Sequence, residues 1–224
     1  MHEVAEATSE TKNPAAIEVA AFDFDGTLTR RDTLLPYLWR SLGWPNFLLA
    51  LLQSAPWLAA YAFRIISNHR AKARLLHASL GGRSMAEVGQ WTADFVGQYL
   101  PGQWNPDALA RLRWHQARGH RCLIISASPG IYLHRTGEVL HMDAVLCTEL
   151  ELEGEVLTGR MQTRNCHGEE KVRRLKAWLA EHYPAAQGVV LHAYGDSAGD
   201  IPLLNLADYA HYQGQPWVRK TSRA

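Results

Sequence analysis

The chain has 224 residues, 47 % of them hydrophobic, and a formal net charge of +1. That length and apolar content suffice for one sizeable core, or a core with a small second module, and exclude a disordered chain. Basic charge is mostly arginine and is spread along the chain without a dense block, so no nucleic-acid partner is expected.

Residues 1–14 are polar and acidic, carry no signal peptide and are expected to form a flexible tail. Ile17 to Phe24 reads as a buried strand, and Asp23 and Asp25 stand where it should end, followed by Gly26-Thr27. At strand spacing the two carboxylates point the same way. Like charges so close call for a cation between them, which suits a Mg2+-assisted site. The EF-hand pattern fails here, because Thr27 takes the place of the third oxygen ligand and the twelfth position holds no Glu.

Asp32 or Thr33 can cap a helix. From Leu34 to Leu100 the pattern is helical throughout, with breaks expected at Gly43-Trp44-Pro45, Ser54-Ala55-Pro56, Ser67-Asn68 and Gly81-Gly82. About four helices without a strand make an all-helical insert. Strands and helices then alternate. Asn105-Pro106 opens a helix that Gly119 ends, Arg121 to Ser126 is a strand, and Ser128-Pro129 is a helix start. Asp143 to Cys147 is a strand and Thr148 to Met161 a hairpin about Glu153-Gly154. Glu169 to Tyr183 is a helix, Val189 to Tyr194 a strand, Asp200-Ile201-Pro202 a last helix start, and Ala207 to Tyr212 an edge strand. The alternation predicts an α/β fold with a doubly wound parallel sheet, whose functional groups gather at the carboxyl ends of the strands. Cys122, Cys147 and Cys166 form no CxxC pair and are expected to be reduced thiols of a cytoplasmic protein. His134, His141, His167 and His192 lack metal-ligand spacing and are read as surface or packing residues.

Four clusters fall at four predicted strand ends. Asp23 and Asp25 end the first. Ser126 ends the second, where backbone N–H groups near Ala127 at a helix start favour an anion. Lys171 opens the helix after the hairpin; with only five lysines against eighteen arginines, a lysine there is notable. Asp196 and Asp200 follow the last core strand and can bring oxygen to a Mg2+ ion.

These residues resemble the haloacid dehalogenase superfamily of phosphohydrolases. Asp23-Phe24-Asp25-Gly26-Thr27 matches its first motif, Ser126 its second, Lys171 its third, and Gly195-Asp196-Ser197-Ala198-Gly199-Asp200 its fourth. The insert after the first motif looks like the helical C1 cap of the phosphoserine-phosphatase-like branch. The resemblance implies a catalytic core of residues 15–33 and 101–224 and a cap of residues 34–100. It implies that Asp23 is the nucleophile and Asp25 the general acid and base. It further implies that Asp23, the backbone carbonyl of Asp25, and Asp196 hold Mg2+, with Asp200 behind them. Ser126, the Ala127 N–H and Lys171 would grip the phosphoryl group. Two departures stand out: Ser126-Ala127-Ser128-Pro129 replaces the usual Ser-Gly-Gly, and Asp32 stands near the place of an acidic substrate contact.

Ser41 to Phe63 carries no charged side chain, and Arg64, His69, Arg70, Lys72 and Arg74 follow at once. These apolar helices either bury one another or offer an interfacial face to a lipid phosphate and a membrane surface. The function expected is therefore phosphomonoester hydrolysis on a small phosphorylated metabolite. The alternatives are a lipid-phosphate phosphatase resembling phosphatidylglycerophosphatase C and a non-catalytic phosphate-responsive binding protein. Oligomeric state is not legible.

Overall fold

The computed structural model describes residues 16–184 and 188–218, so the 1–14 tail lies outside the described residues. The central strand β1 (Ile17–Phe22) is apolar on both faces. Val19 and Ala21 point into one hydrophobic cluster, Ala20 and Phe22 into the other. A strand buried on both sides belongs in the middle of a parallel sheet. Accordingly β1 pairs in parallel with β2 (Arg121–Pro129) and with β6 (Val189–Gly195). β3 (Ala144–Thr148) pairs with β2, and β7 (Tyr209–Tyr212) pairs with β6. The sequence places an edge strand at Ala207 to Tyr212, yet β7 is covered by the two-residue antiparallel β8 (Gln215–Pro216). The strand order is β3-β2-β1-β6-β7-β8. The chain therefore reverses its direction of winding between β1 and β6, and a crevice opens there at the strand carboxyl ends.

Helices cover both faces. α4 (Pro106–Gln116) and α5 (Gly130–Leu140) contribute Leu112, Tyr132 and Leu133 to one cluster. α6 (Glu169–His182) and α7 (Ile201–Leu206) contribute Leu175, Trp178, Leu203 and Leu204 to the other. Between β1 and α4 lie α1 (Leu34–Ala62), α2 (Asn68–Leu80) and α3 (Met85–Asp94). They share the cluster of α4 and α5, with Tyr37 4.8 Å and Phe95 5.5 Å from the ring of Tyr132.

One of the expected helix breaks fails in this region. The break at Gly43 is real, with φ +70 and ψ 165, and Pro45 sits in the first turn after it, where no N–H is needed. The break at Pro56 is not: α1 runs through to Ala62. A proline inside a helix removes one hydrogen bond and bends the rod, but packing of α1 along α2 keeps both sides helical.

The hairpin β4 (Leu150–Glu153) and β5 (Val156–Met161) leaves the sheet and ties itself to the insert. Gly82 N–H donates to Leu157 O at 2.8 Å, Leu157 N–H to Arg83 O at 2.9 Å, and Met85 N–H to Glu155 O at 2.8 Å. Gly159 makes the close approach possible. Its φ is +74, and a Cβ there would stand 2.6 Å from the Cα of His77. Gly154, at φ +61, has nothing within 4 Å of the same position. Gly159→Ala is therefore expected to cost about 2 kcal/mol or more of stability in urea unfolding, against about 1 kcal/mol for Gly154→Ala. Equal losses would show that the hairpin does not bear on α2.

Candidate active site

The end of β1 sets the first carboxylate. Asp23 N–H donates to Tyr194 O at 2.9 Å, so pairing with β6 holds the residue after the strand has ended at Phe22. The predicted strand is thus two residues too long. Phe24 to Leu28 forms one wide turn, closed by Thr29 N–H on Phe24 O at 3.0 Å. Gly26 takes φ +78 in it, and a Cβ there would lie 2.2 Å from Asp196 Oδ2. Only glycine lets the loops after β1 and β6 meet this closely.

Because the turn begins at once, Asp25 does not follow Asp23 by strand alternation. Its carboxylate turns toward the root of α1. Oδ1 accepts Thr33 N–H at 2.7 Å and Thr33 Oγ1–H at 2.6 Å, and Oδ2 accepts the hydroxyl of Ser128. Ser128 is therefore not the helix cap expected of it: β2 runs to Pro129, which precedes α5. Ser126, 1 % exposed, accepts Ser128 N–H at 3.1 Å, and its own hydroxyl hydrogen remains for a ligand. Ser126 and Ala127 both line the cleft.

Lys171, in the first turn of α6, is 2 % exposed. Its Nζ donates to Asp23 Oδ1 at 2.6 Å and to Asp200 Oδ1 at 2.5 Å. Asp200 is saturated. Its Oδ2 also accepts Ser197 N–H at 2.9 Å, Ser197 Oγ–H at 2.8 Å and Asp196 N–H at 3.2 Å. Asp196 itself is half-buried and accepts Thr27 Oγ1–H at 3.3 Å.

The charges follow from this count. One ammonium lies between two buried carboxylates and can balance only one of them. Burial opposes the charge on Lys171, but Asp23 and Asp200 together hold it protonated above the usual lysine range. Burial also opposes ionisation of Asp200, but Lys171 and the Ser197 donors hold its carboxyl low. Asp23 carries the excess: burial, outweighing Lys171, raises its pKa to about 7. Burial and then Asp32 raise Asp25 to about 6, against the Ser128 and Thr33 hydrogen bonds. Asp196 is raised as well, by burial and by Asp200.

Asp23, Asp196 and Asp200 each bring an oxygen to within 4.8 Å of the others. With Lys171 turned toward Asp23 and Asp200, surplus negative charge remains on hard oxygen donors, which fits a small divalent cation. The site opens into a cleft of about 740 Å³ between the sheet and the insert.

The sequence pointed to Asp23, Asp25, Ser126, Ala127, Lys171, Asp196 and Asp200, and all of them lie at this cleft or support it. Asp32 lines it too, while its Oδ1 accepts Leu34 N–H at 3.0 Å and so caps α1. Thr33 and Ser128 read from the sequence only as helix caps, and Lys72 only as one of a run of basic residues able to meet an anionic headgroup or a substrate anion. Lys72, on α2, reaches across to donate to Ala127 O at 2.6 Å. Burial pulls its pKa down, against the pull of Asp25 and Asp32. The scarcity of lysine that marks Lys171 marks Lys72 equally and was the available signal.

A family model for haloacid dehalogenase-like hydrolases matches residues 20–205. Protein CicA of Caulobacter vibrioides is 31 % identical over 204 residues, 88 % of either chain. The histidinol-phosphatase of Neisseria meningitidis is 25 % identical over 198 residues, 84 % of this chain and 86 % of that one. Among solved structures, a probable phosphoserine phosphatase from Vibrio cholerae shares the fold with a TM-score of 0.66 at 15 % identity, over 90 % of this chain and 58 % of that one.

In the metal-free protein, the raised carboxyls set a pH dependence. From the ordinary 3.8 up to about 7, folded Asp23 binds more proton than unfolded Asp23, and Asp25 does the same up to about 6. Their stabilising contribution is full below pH 3.8 and lost as pH rises through those values. With a chelator present, wild type should lose stability relative to Asp23→Asn between pH 5 and 8, on the order of a few kcal/mol. Parallel stability curves for the two proteins would contradict the charge count.

Proposed function

The chain belongs to the haloacid dehalogenase-like hydrolases, and within that family we propose that it is a Mg2+-dependent phosphomonoester hydrolase acting on a small phosphorylated metabolite through an aspartyl-phosphate. The observation that carries this reading is Asp23. It is a buried carboxylate with one oxygen fixed by Lys171, at the floor of an open cleft and beside a second carboxyl of different environment.

The roles follow from the chemistry of each position. Asp23 attacks phosphorus in line and displaces the alcohol. Asp25 is set up for proton transfer: a carboxyl near pKa 6 can hold a proton for the leaving oxygen and then take one from water. Thr33 and Ser128 fix its orientation. Ser126 O–H and the Ala127 N–H receive the phosphoryl oxygens near the carboxyl end of β2. Lys171 neutralises Asp23 and the incoming phosphoryl group. Asp23, the backbone carbonyl of Asp25, and Asp196 would hold Mg2+, which supplies Lewis acidity and balancing charge. Asp200 keeps Lys171 and the Asp196 loop in place. Residues 34–100 act as a cap over the core formed by 15–33 and 101–224, with Lys72 and Asp32 bordering the substrate.

A second reading rests on a separate observation. α1 and the segment after it expose Trp39, Trp44, Leu52, Phe63 and Ile65 at 55, 64, 63, 79 and 74 %. Leu35, Leu58 and Tyr61 of the same helix line the cleft. Exposed apolar side chains on a helix that also lines the site, followed by Arg64, Arg70 and Arg74, suit a lipid phosphomonoester taken from a membrane surface. Among the described residues no helix is long and apolar enough to cross a membrane.

A phosphate-release screen with Mg2+ over amino-acid, sugar, nucleotide and lipid phosphates tests both. Release from small phosphates in solution supports the first reading. Release confined to phosphatidylglycerophosphate in vesicles or detergent supports the second. No release, with no binding of beryllium fluoride at Asp23, would leave a binding protein. Asp23→Asn should abolish turnover with the fold intact, and Ca2+ should not replace Mg2+, because it prefers looser and higher coordination. Asp25→Asn should lower turnover of alkyl phosphates by about 10² to 10⁴ and of aryl phosphates much less, since a good leaving group needs no proton. Equal losses on both would remove Asp25 from the acid role.

A further inference from the structure

Away from the cleft, three imidazoles face one another on the other half of the sheet. His115 closes α4, His120 precedes β2, and His192 lies in β6. One ring nitrogen from each lies within 4.8 Å of the other two. His115 Nδ1 and His120 Nδ1 are 2.9 Å apart. The other nitrogen of His115 is taken: Nε2 is 2.8 Å from Tyr194 Oη. Holding one ring nitrogen on oxygen while the second faces inward is how metal-binding imidazoles are oriented. His192 Nε2 is 2.8 Å from Glu18 Oε2, so a carboxylate borders the cluster.

We infer that His115, His120 and His192 form a binding site for one Zn2+-class transition-metal ion, with Glu18 beside it orienting the His192 ring. Three imidazoles match the donor preference of such ions and not of Mg2+. Burial, with His192 and His120 beside it, drives the pKa of His115 down to about 3, and burial lowers His120 too. A neutral imidazole keeps its lone pair, so metal need not compete with a proton. His115 is fully buried, whereas His120, His192 and Glu18 are partly exposed, which gives the ion a way in. The site would clamp α4, the start of β2, β1 and β6 together. Glu18 begins β1 and Asp23 follows its end, about 16 Å away at strand rise, so the site is independent of the Asp23 centre.

The sequence disguises it. His115 and His120 are five apart across a helix end and a turn, and His192 comes from a strand much later in the chain.

The test is Zn2+ titration of the full-length, untagged chain in saturating Mg2+, by calorimetry and by X-ray absorption. The expected result is one Zn2+ per chain with a first shell of imidazole nitrogens at about 2.0 Å. His120→Ala and His192→Ala, on the accessible side of the cluster, should each weaken binding at least about tenfold. Cys147→Ser should leave it unchanged; it controls for the separate cluster of His134, Cys147 and Glu149. No Zn2+ uptake overturns the site. So does uptake that both histidine variants keep, or that Cys147→Ser removes.

Discussion

The molecule is organised around one buried ammonium. Lys171 reaches from α6 into the crevice between β1 and β6 and ties Asp23 to Asp200. Two carboxylates so deeply buried would not stay ionised side by side, and without the lysine the loops after β1 and β6 would be forced apart or protonated. With it, one negative charge is left over. That remainder is what makes the site hungry for a cation and, in the proposed chemistry, for a phosphoryl group that the cation and the lysine can share. Asp200 earns little notice by position alone, yet its four donors fix Lys171, Ser197 and the backbone of Asp196 at once.

The two aspartates of the first motif have opposite attachments. Asp23 is held from below by the sheet and by α6. Asp25 is held from above by Thr33, the residue before α1, and from the side by Ser128 after Ser126. The same three-residue stretch therefore joins the rigid sheet to the helical insert. Lys72 closes the circuit from the other side, since it holds the carbonyl of Ala127, next to the predicted phosphate grip. The helical insert and the sheet meet through polar contacts at the site and through the aromatic cluster of Tyr37, Phe95 and Tyr132 behind it.

Much of this was legible because it depends on local pattern. The apolar run Val19 to Phe22 of β1, the Asn105-Pro106 start of α4 and the Gly154 turn each declare themselves within a few residues. What was not legible depends on distant partners. Pro56 reads as a break because its cost is local, whereas the packing of α1 on α2 that offsets it is not. Ser128 reads as a helix cap until Asp25, more than a hundred residues earlier, claims its hydroxyl. β1 stops two residues early because Gly26 must turn to admit Asp196, a requirement that sits in another loop. Lys72 and the His115, His120, His192 group share the reason: their partners come together only when the sheet is assembled.

The contact between Thr33 and Asp25 has a mechanical side. Thr33 offers Asp25 both its N–H and its hydroxyl, and α1 begins at the next residue. Any swing of α1 about its root pulls two donors away from one carboxylate oxygen. Proton affinity at Asp25 and the tilt of the first segment of α1, up to the break at Gly43, are thereby geared to one another: the segment acts as a lever whose short arm is a pair of hydrogen bonds and whose long arm carries the exposed Trp39. Whatever leans on the far end of that lever is felt at Asp25.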